Sequence, residues 1–348
     1  MTRLTPDERD MRFIRRLAVL AIALALVVFL YKITDLLLLV FGAVMVSVLL
    51  SAIADAIADH GGLSRKAGFA VAAALLLGFL CLAGWLFAAQ ISGEVQTLRQ
   101  QLPLAWRQVE AGLAADPLGR PLADALRESL GGSRLADWAT WLGAGAGQLV
   151  VNFVIILVGA LFIGAQPGLY KRRLVRLVPG RYRAVGRDAL DDCGRTLRLW
   201  LVTQIVLMTT MGLLVGAGLW LSGLPTAAAL GLLAGLSEFI PYVGPTLAML
   251  PAIVLAAAGE GSVWGVFATY ALVRVIQTNF ITPLVQRRIV SIPPAVTLFA
   301  ILSFGYAFGT FGLFFSAPLL VVAYTLVGRL YLQETLGADV ELPGDAGS

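Results

Sequence analysis

Apolar residues run along this chain in long blocks, without the alternation of a strand or the single stripe of a surface helix. Blocks at 14–31, 36–54, 67–90, 147–166, 198–221 and 263–281 reach or approach the roughly 20 residues that a helix needs to cross a bilayer core. Two blocks depart from that length. The stretch 224–258 is long but broken in its middle, and 295–328 is too long for one upright helix and short for two. The pattern predicts an all-α, polytopic integral membrane protein. It would have about six full membrane spans, plus interrupted or re-entrant helical segments near 224–258 and 295–328.

Between 91 and 146 the period changes. Val95, Leu98, Leu102, Val109 and Leu113 recur at helical spacing, and Leu122, Leu126 and Leu130 repeat it after Asp116-Pro117. Such spacing predicts amphipathic helices, here a small extramembrane insert. The expected plan is then an N-terminal three-span region at 1–90, the insert at 91–146, and two spans within 147–221 joined by a basic loop at 167–198. A core with broken helices at 222–328 and a tail at 329–348 complete it.

Composition supports lipid as the solvent. Of 348 residues, 59% are hydrophobic and only 14% charged, where a soluble domain carries about a quarter charged. The mean hydropathy is +0.85. The formal net charge of +5 does not point to nucleic acid, because the basic residues cluster in short segments between apolar blocks.

Those clusters set an orientation. Arg3, Arg9, Arg12, Arg15 and Arg16 place the N-terminus in the cytoplasm, and Arg65-Lys66 mark the next cytoplasmic turn. The segment 167–198 carries Lys171, Arg172, Arg173, Arg176, Arg181, Arg183, Arg187, Arg195 and Arg198, the strongest cytoplasmic signal in the chain. Arg287-Arg288 mark a later cytoplasmic loop, and the C-terminus is expected on the same side. The first apolar block is expected to stay as an uncleaved signal anchor, since no small-residue cleavage site closes it.

The most informative stretch runs from Gly231 to Pro245. It begins as an apolar helix and ends in Glu238-Phe-Ile-Pro241-Tyr-Val-Gly244-Pro245. Proline lacks an N–H and crowds the carbonyl four residues back, so no helix continues undisturbed through this sequence. In hydrocarbon a freed carbonyl costs several kcal/mol unless protein or cavity water satisfies it. A break here implies a place lined by protein or water, flanked by half-helices at 224–237 and 246–258 too short to span. Transporters build solute and ion sites from such half-helices.

Glu238 adds a carboxylate at the break. Two placements are open: facing an interior cavity, or at the cytoplasmic interface where a span ends. Arg274 lies in the block 263–281, with Gln277 and Asn279 following; Arg274 and Gln277 are three apart and can share a face. Arg274 can pair with Glu238 or reach to the cytoplasmic headgroups. Gln204 and Asn152 read as helix–helix hydrogen-bond contacts. A second break is expected at Gly305, Gly309 and Gly312, where a tight hairpin or close helix packing is open to the chain.

Catalytic chemistry finds little support. His60 is the only histidine, and Cys81 and Cys193 lie in unrelated surroundings, so neither a metal cluster nor a Ser-His or Cys-His arrangement is expected. None of the three lysines, Lys32, Lys66 and Lys171, follows a phosphate-loop pattern. No enzyme activity, cofactor, metal or ATP hydrolysis is expected. The partners expected are the lipid bilayer and a small-molecule or ion substrate.

The block Ala234-Gly235-Leu-Ser-Glu238-Phe-Ile-Pro241-Tyr242-Val243-Gly244-Pro245 resembles the signature of the autoinducer-2 exporter family. Gln277 to Pro283, Pro293, the glycines from Gly305 to Gly312 and Ala317-Pro318-Leu319 match its C-terminal part. The resemblance covers nearly the whole chain. It implies a bacterial inner-membrane transporter that forms a homo-oligomer, with a pentamer suggested, and that exports a small polar signalling molecule. Some members are associated with sodium or proton antiport. The family often has acidic residues just after the position of Gln277, where this chain has Thr278 and Asn279. Two alternatives stand beside export: a monovalent cation/proton antiporter, and a non-transporting scaffold that binds a partner through 91–146.

Overall fold

The computed structural model describes residues 6–78, 81, 107, 111, 120–121, 150–286 and 292–337. The expected insert at 91–146, apart from those isolated positions, lies outside the described residues, as do the Arg287-Arg288 loop and residues 338–348. Every regular element among the described residues is helical.

Helices α1 (Pro6–Lys32) and α2 (Thr34–Gly61) are joined by a turn at Ile33. From Leu17 to Tyr31 the side chains of α1 are exposed, as expected of an apolar helix whose solvent is lipid. Gly62, in the left-handed conformation, ends α2 and donates its N–H to Ala58 O. Helix α3 (65–78) then turns back along α2. Helices α4 (Val150–Ala165) and α5 (Pro167–Leu177) are bent by 88° at Gln166. Proline at the start of α5 drives the residue before it out of helical geometry, which makes the corner. The long α6 (Arg183–Leu221) follows.

Among the described residues, three helical stretches are long and apolar enough to cross a membrane, or four if the bent pair counts as one. The remaining expected spans are shorter helices or lie partly outside the described residues. One of the three, Ala295–Gln333, folds back on itself.

The two interrupted regions are helical hairpins. In the first, α7 (Ala227–Ser237) and α8 (Val243–Leu255) are joined by the five residues 238–242. Its base closes where Ser262 N donates to Ser222 O at 3.1 Å, beside the C-terminal end of α6. Helix α9 (Val263–Ile276) starts from that base, with the Ser262 side chain accepting from Gly265 N at 3.1 Å. It continues through a π-type turn at Gln277–Ile281 into Thr282–Gln286.

The second hairpin is α10 (Pro294–Leu326), which reverses at Gly309. With φ 63° and ψ −149°, Gly309 occupies a region that only glycine enters freely. Phe304 O and the Phe308 side chain crowd Gly312, an approach that a straight helix would not bring about. Beyond α10, Arg329 meets Asp188 (3.3 Å) and Asp192 (3.7 Å) near the N-terminal end of α6. The two hairpins therefore root at opposite ends of α6.

Packing follows from small residues where backbones must meet. Gly212 and Gly216 of α6 face Gly231 and Gly235 of α7, and a Cβ on Gly231 would lie 2.6 Å from Gly216 Cα. Around this crossing, Met211, Val215, Leu219, Leu230, Ala234, Ala248, Ala252, Val266 and Val273 form the largest buried cluster. A second cluster joins α2, α6 and α10 through Leu38, Met45, Leu197, Leu201 and Phe315.

Candidate functional site

The tip of the first hairpin carries the site. Helix α7 ends because Pro241 cannot continue it, and the chain turns through 238–242 on hydrogen bonds from Phe239 N to Leu236 O, Ile240 N to Ser237 O and Gly244 N to Ile240 O. The break was expected to extend to Pro245, but Pro245 lies in the first turn of α8. There the missing N–H has no helical partner to lose, so proline is tolerated. Gly244 packs directly on Ser237 O, leaving no room for a side chain.

At Tyr242 the backbone takes φ 66° and ψ −51°, and Val243 N donates to Pro241 O at 2.8 Å. This is a γ-turn of the rare positive-φ form. Tyr242 is the only non-glycine residue with positive φ among the described residues.

Two elements hold the tip. From α6, Gln204 Nε2 donates to the carbonyl oxygen of Glu238 at 2.7 Å, fully inside the protein. From α9, Arg274 Nη1 donates to Glu238 Oε1 at 3.3 Å and to Gln277 Oε1 at 3.3 Å. Gln277 Nε2 in turn donates to Leu207 O on α6 at 3.3 Å. The π-type turn that begins at Gln277 widens the helix there, a feature often found at functional positions.

Glu238 is held inside the protein, its side chain 7% exposed and paired with Arg274. Gln204 lies about 9 Å along α6 beyond Arg198, taking about 1.5 Å per residue. The tip thus docks on the first third of the apolar length of α6, within reach of the basic end at Arg198. The two halves of the ion pair differ, since Arg274 is 40% exposed and Glu238 Oε2 is buried without a hydrogen-bond partner. Breaking such a pair from one side leaves an uncompensated buried charge.

Asn279 is not brought to this cluster. It is exposed, and its side chain donates back to Val275 O at 2.9 Å on its own helix. Gly305, Gly309 and Gly312 shape the second hairpin, whose tip reaches the α1–α2 turn around a cavity of about 530 Å³ lined by Tyr31, Lys32, Asp35 and Phe308.

An aromatic bridge joins the two hairpins, and the sequence reading did not anticipate it. Phe239 stacks on Phe314 with centroids 4.4 Å apart, and Trp200 meets Phe239 edge-on at 5.7 Å. The one available signal was Phe239 standing next to Glu238 at the break.

This geometry brings together a carboxylate with one engaged and one unengaged oxygen and a half-open guanidinium. Such a pair can take up a proton or exchange its partners for the polar groups of a small solute. No nucleophile–base pair accompanies it among the described residues.

Comparison with known proteins points the same way. A profile of AI-2E family transporters matches residues 17–331. MT0215 of Mycobacterium tuberculosis, which carries a transport-protein name, is 29% identical over 324 residues, 87% of this chain and 85% of its own. The AI-2 transport protein TqsA of Escherichia coli is 24% identical over 279 residues, covering 77% of this chain and 78% of TqsA. YrrI of Bacillus subtilis is 28% identical over 151 residues, 43% of each chain, so this chain spans less than half the length of that relative. With the family profile matching nearly the whole chain, this membrane protein, whose two helical hairpins meet at Phe239 and Phe314, belongs to the AI-2E transporter family.

Proposed function

We propose that the chain exports a small polar metabolite or signalling molecule of the autoinducer-2 kind, without ATP hydrolysis, along a path that passes the tip of the first hairpin. The buried Glu238–Arg274 pair carries this reading. Holding the Glu238 carboxylate inside the protein is costly, with only the half-exposed Arg274 to offset it, and intramembrane charges mark solute and ion pathways. Gln277 steers Arg274, while Pro241, Gly244 and Pro245 shape the tip that presents Glu238. The AI-2 transport protein TqsA supports the choice of cargo class.

The same reading places the chain in a bacterial inner membrane as a homo-oligomer with both termini in the cytoplasm, acting as a transporter and not as an enzyme. The test is efflux of autoinducer-2 from proteoliposomes. Glu238→Gln is expected to cut efflux at least tenfold while the protein still inserts and assembles; undiminished efflux would refute the reading.

A second reading, a monovalent cation/proton antiporter, is favoured by Glu238 Oε2, an acceptor without a partner. It expects sodium or potassium to drive a pH change in dye-loaded vesicles, and expects Glu238→Gln to abolish it. If neither cation moves protons, this second reading falls.

A further inference from the structure

The backbone at Tyr242 calls for an explanation, since it is the one non-glycine residue with positive φ among the described residues. A positive φ is unfavourable for any residue with a Cβ, and the γ-turn form at φ 66° and ψ −51° is among the strained conformations. Strain of this kind persists only where the surroundings over-determine it, and it clusters at clamps and switches. About half of the Tyr242 surface is exposed, at 47%. Glycine would adopt the same turn without strain.

What holds the turn is its frame. Pro241 fixes φ on one side, and Gly244 is seated on Ser237 O on the other. Thr246 Oγ1 donates to Tyr242 O at 2.7 Å. The Gln204 bond to the Glu238 carbonyl and the Arg274–Glu238 pair then pin the whole tip against α6 and α9. The tip is thus a loaded element, with docking contacts on one side of the balance and backbone strain on the other.

We propose that Tyr242 is a positioning residue whose strained backbone biases the hairpin tip toward undocking from Gln204 and Arg274, and so sets how readily the tip moves. The role of that movement in solute passage rests on the export reading above. The bias itself does not. Loosening the Arg274–Glu238 pair, as a polar solute between them would, removes one of the two restraints that oppose the strain.

The substitutions Tyr242→Ala, Tyr242→Asn and Tyr242→Gly separate the ring from the backbone. Alanine removes the ring and keeps the strain, asparagine tolerates positive φ in part, and glycine removes the strain. The measurement is amide hydrogen exchange at Val243 and Gly244 in the full chain in nanodiscs. Exchange is expected to match the native chain in Tyr242→Ala, to slow in Tyr242→Asn, and to slow by about tenfold in Tyr242→Gly. Equal exchange in the alanine and glycine variants, or faster exchange in the glycine variant, would overturn the proposal.

A parallel efflux assay with autoinducer-2 keeps the two claims apart. Exchange that follows the series while Glu238→Gln transports normally keeps the hinge and sinks the export reading. A transport defect in Glu238→Gln with flat exchange across the series does the reverse.

Discussion

At the scale of single residues, the site depends on bonds that cross between elements, and the shortest of them comes from Gln204. Gln204 meets a backbone carbonyl, so Gln204→Leu leaves Glu238 O buried without its donor, at about 1–3 kcal/mol. The expected result is a lower melting temperature in detergent and reduced efflux. Gln204→Glu is expected to be worse, since it sets a carboxylate oxygen, which can only accept, against the Glu238 carbonyl oxygen. Cys193 gives a prediction outside the membrane segment. Burial, and then the neighbouring Asp192 carboxylate, push its thiol up to about 11. Only the thiolate reacts, so in a Cys81→Ser background maleimide labelling of Cys193 is expected to be slow at pH 7.5. Its rate should climb about tenfold per pH unit until the pH approaches that value, because deprotonation is the step being titrated. Labelling that is already fast at pH 7.5 would contradict the burial.

At the scale of elements, the α6–α7 crossing gives the sharpest contrast. A Cβ on Gly231 would meet Gly216 Cα at 2.6 Å and Gly212 O at 2.7 Å, whereas one on Gly216 would meet its nearest neighbours at 3.6 and 3.7 Å. Gly231→Ala is therefore expected to cost about 1–3 kcal/mol and to lower the melting temperature, while Gly216→Ala leaves it nearly unchanged. Equal behaviour of the two would mean the helices do not cross there. Much of this architecture was legible beforehand. Proline at 241 and three glycines between 305 and 312 announced two breaks, and the short half-helices left a re-entrant or broken form open, with a hairpin as one option at the second break. The exact tip was not legible, because a proline in a helix's first turn looks the same in sequence as one that ends a helix. Glu238 and Arg274 stood out as charges in apolar blocks, but their pairing is a contact between α9 and the tip that no local pattern encodes. Gln204 looked like any helix-packing amide, since its partner is a carbonyl 34 residues away. The aromatic bridge was hidden for a similar reason: Phe239 and Phe314 look like ordinary lipid-facing residues until two hairpins from opposite ends meet.

At the scale of the whole molecule, charged residues tie together the end from which α6 starts. Arg198 bonds Asp55 at 3.2 Å, Arg65 pairs with the same carboxylate at 3.4 Å, Lys171 pairs with Asp191, and Arg329 bridges Asp188 and Asp192. Exposed pairs are individually weak, but Arg329 and Asp192 are largely buried and hold the second hairpin's exit to α6. Arg329→Ala is expected to lower the melting temperature more than Arg65→Ala does, and a differential scan of the two variants checks it. The same layout predicts sidedness. In a Cys81→Ser, Cys193→Ser background, cysteines at Ser222 and Ser262 are expected to react with an impermeant thiol reagent from one side of the membrane, and a cysteine at Thr335 from the other. The stacked ring of Phe239 also has a practical consequence. Trp200 stands edge-on to that ring, and indole emission responds to the polarity around it. In a variant that keeps Trp200 and replaces the other tryptophans among the seven in the chain, the protein would carry its own optical gauge of the hairpin's position, readable before any cargo is known.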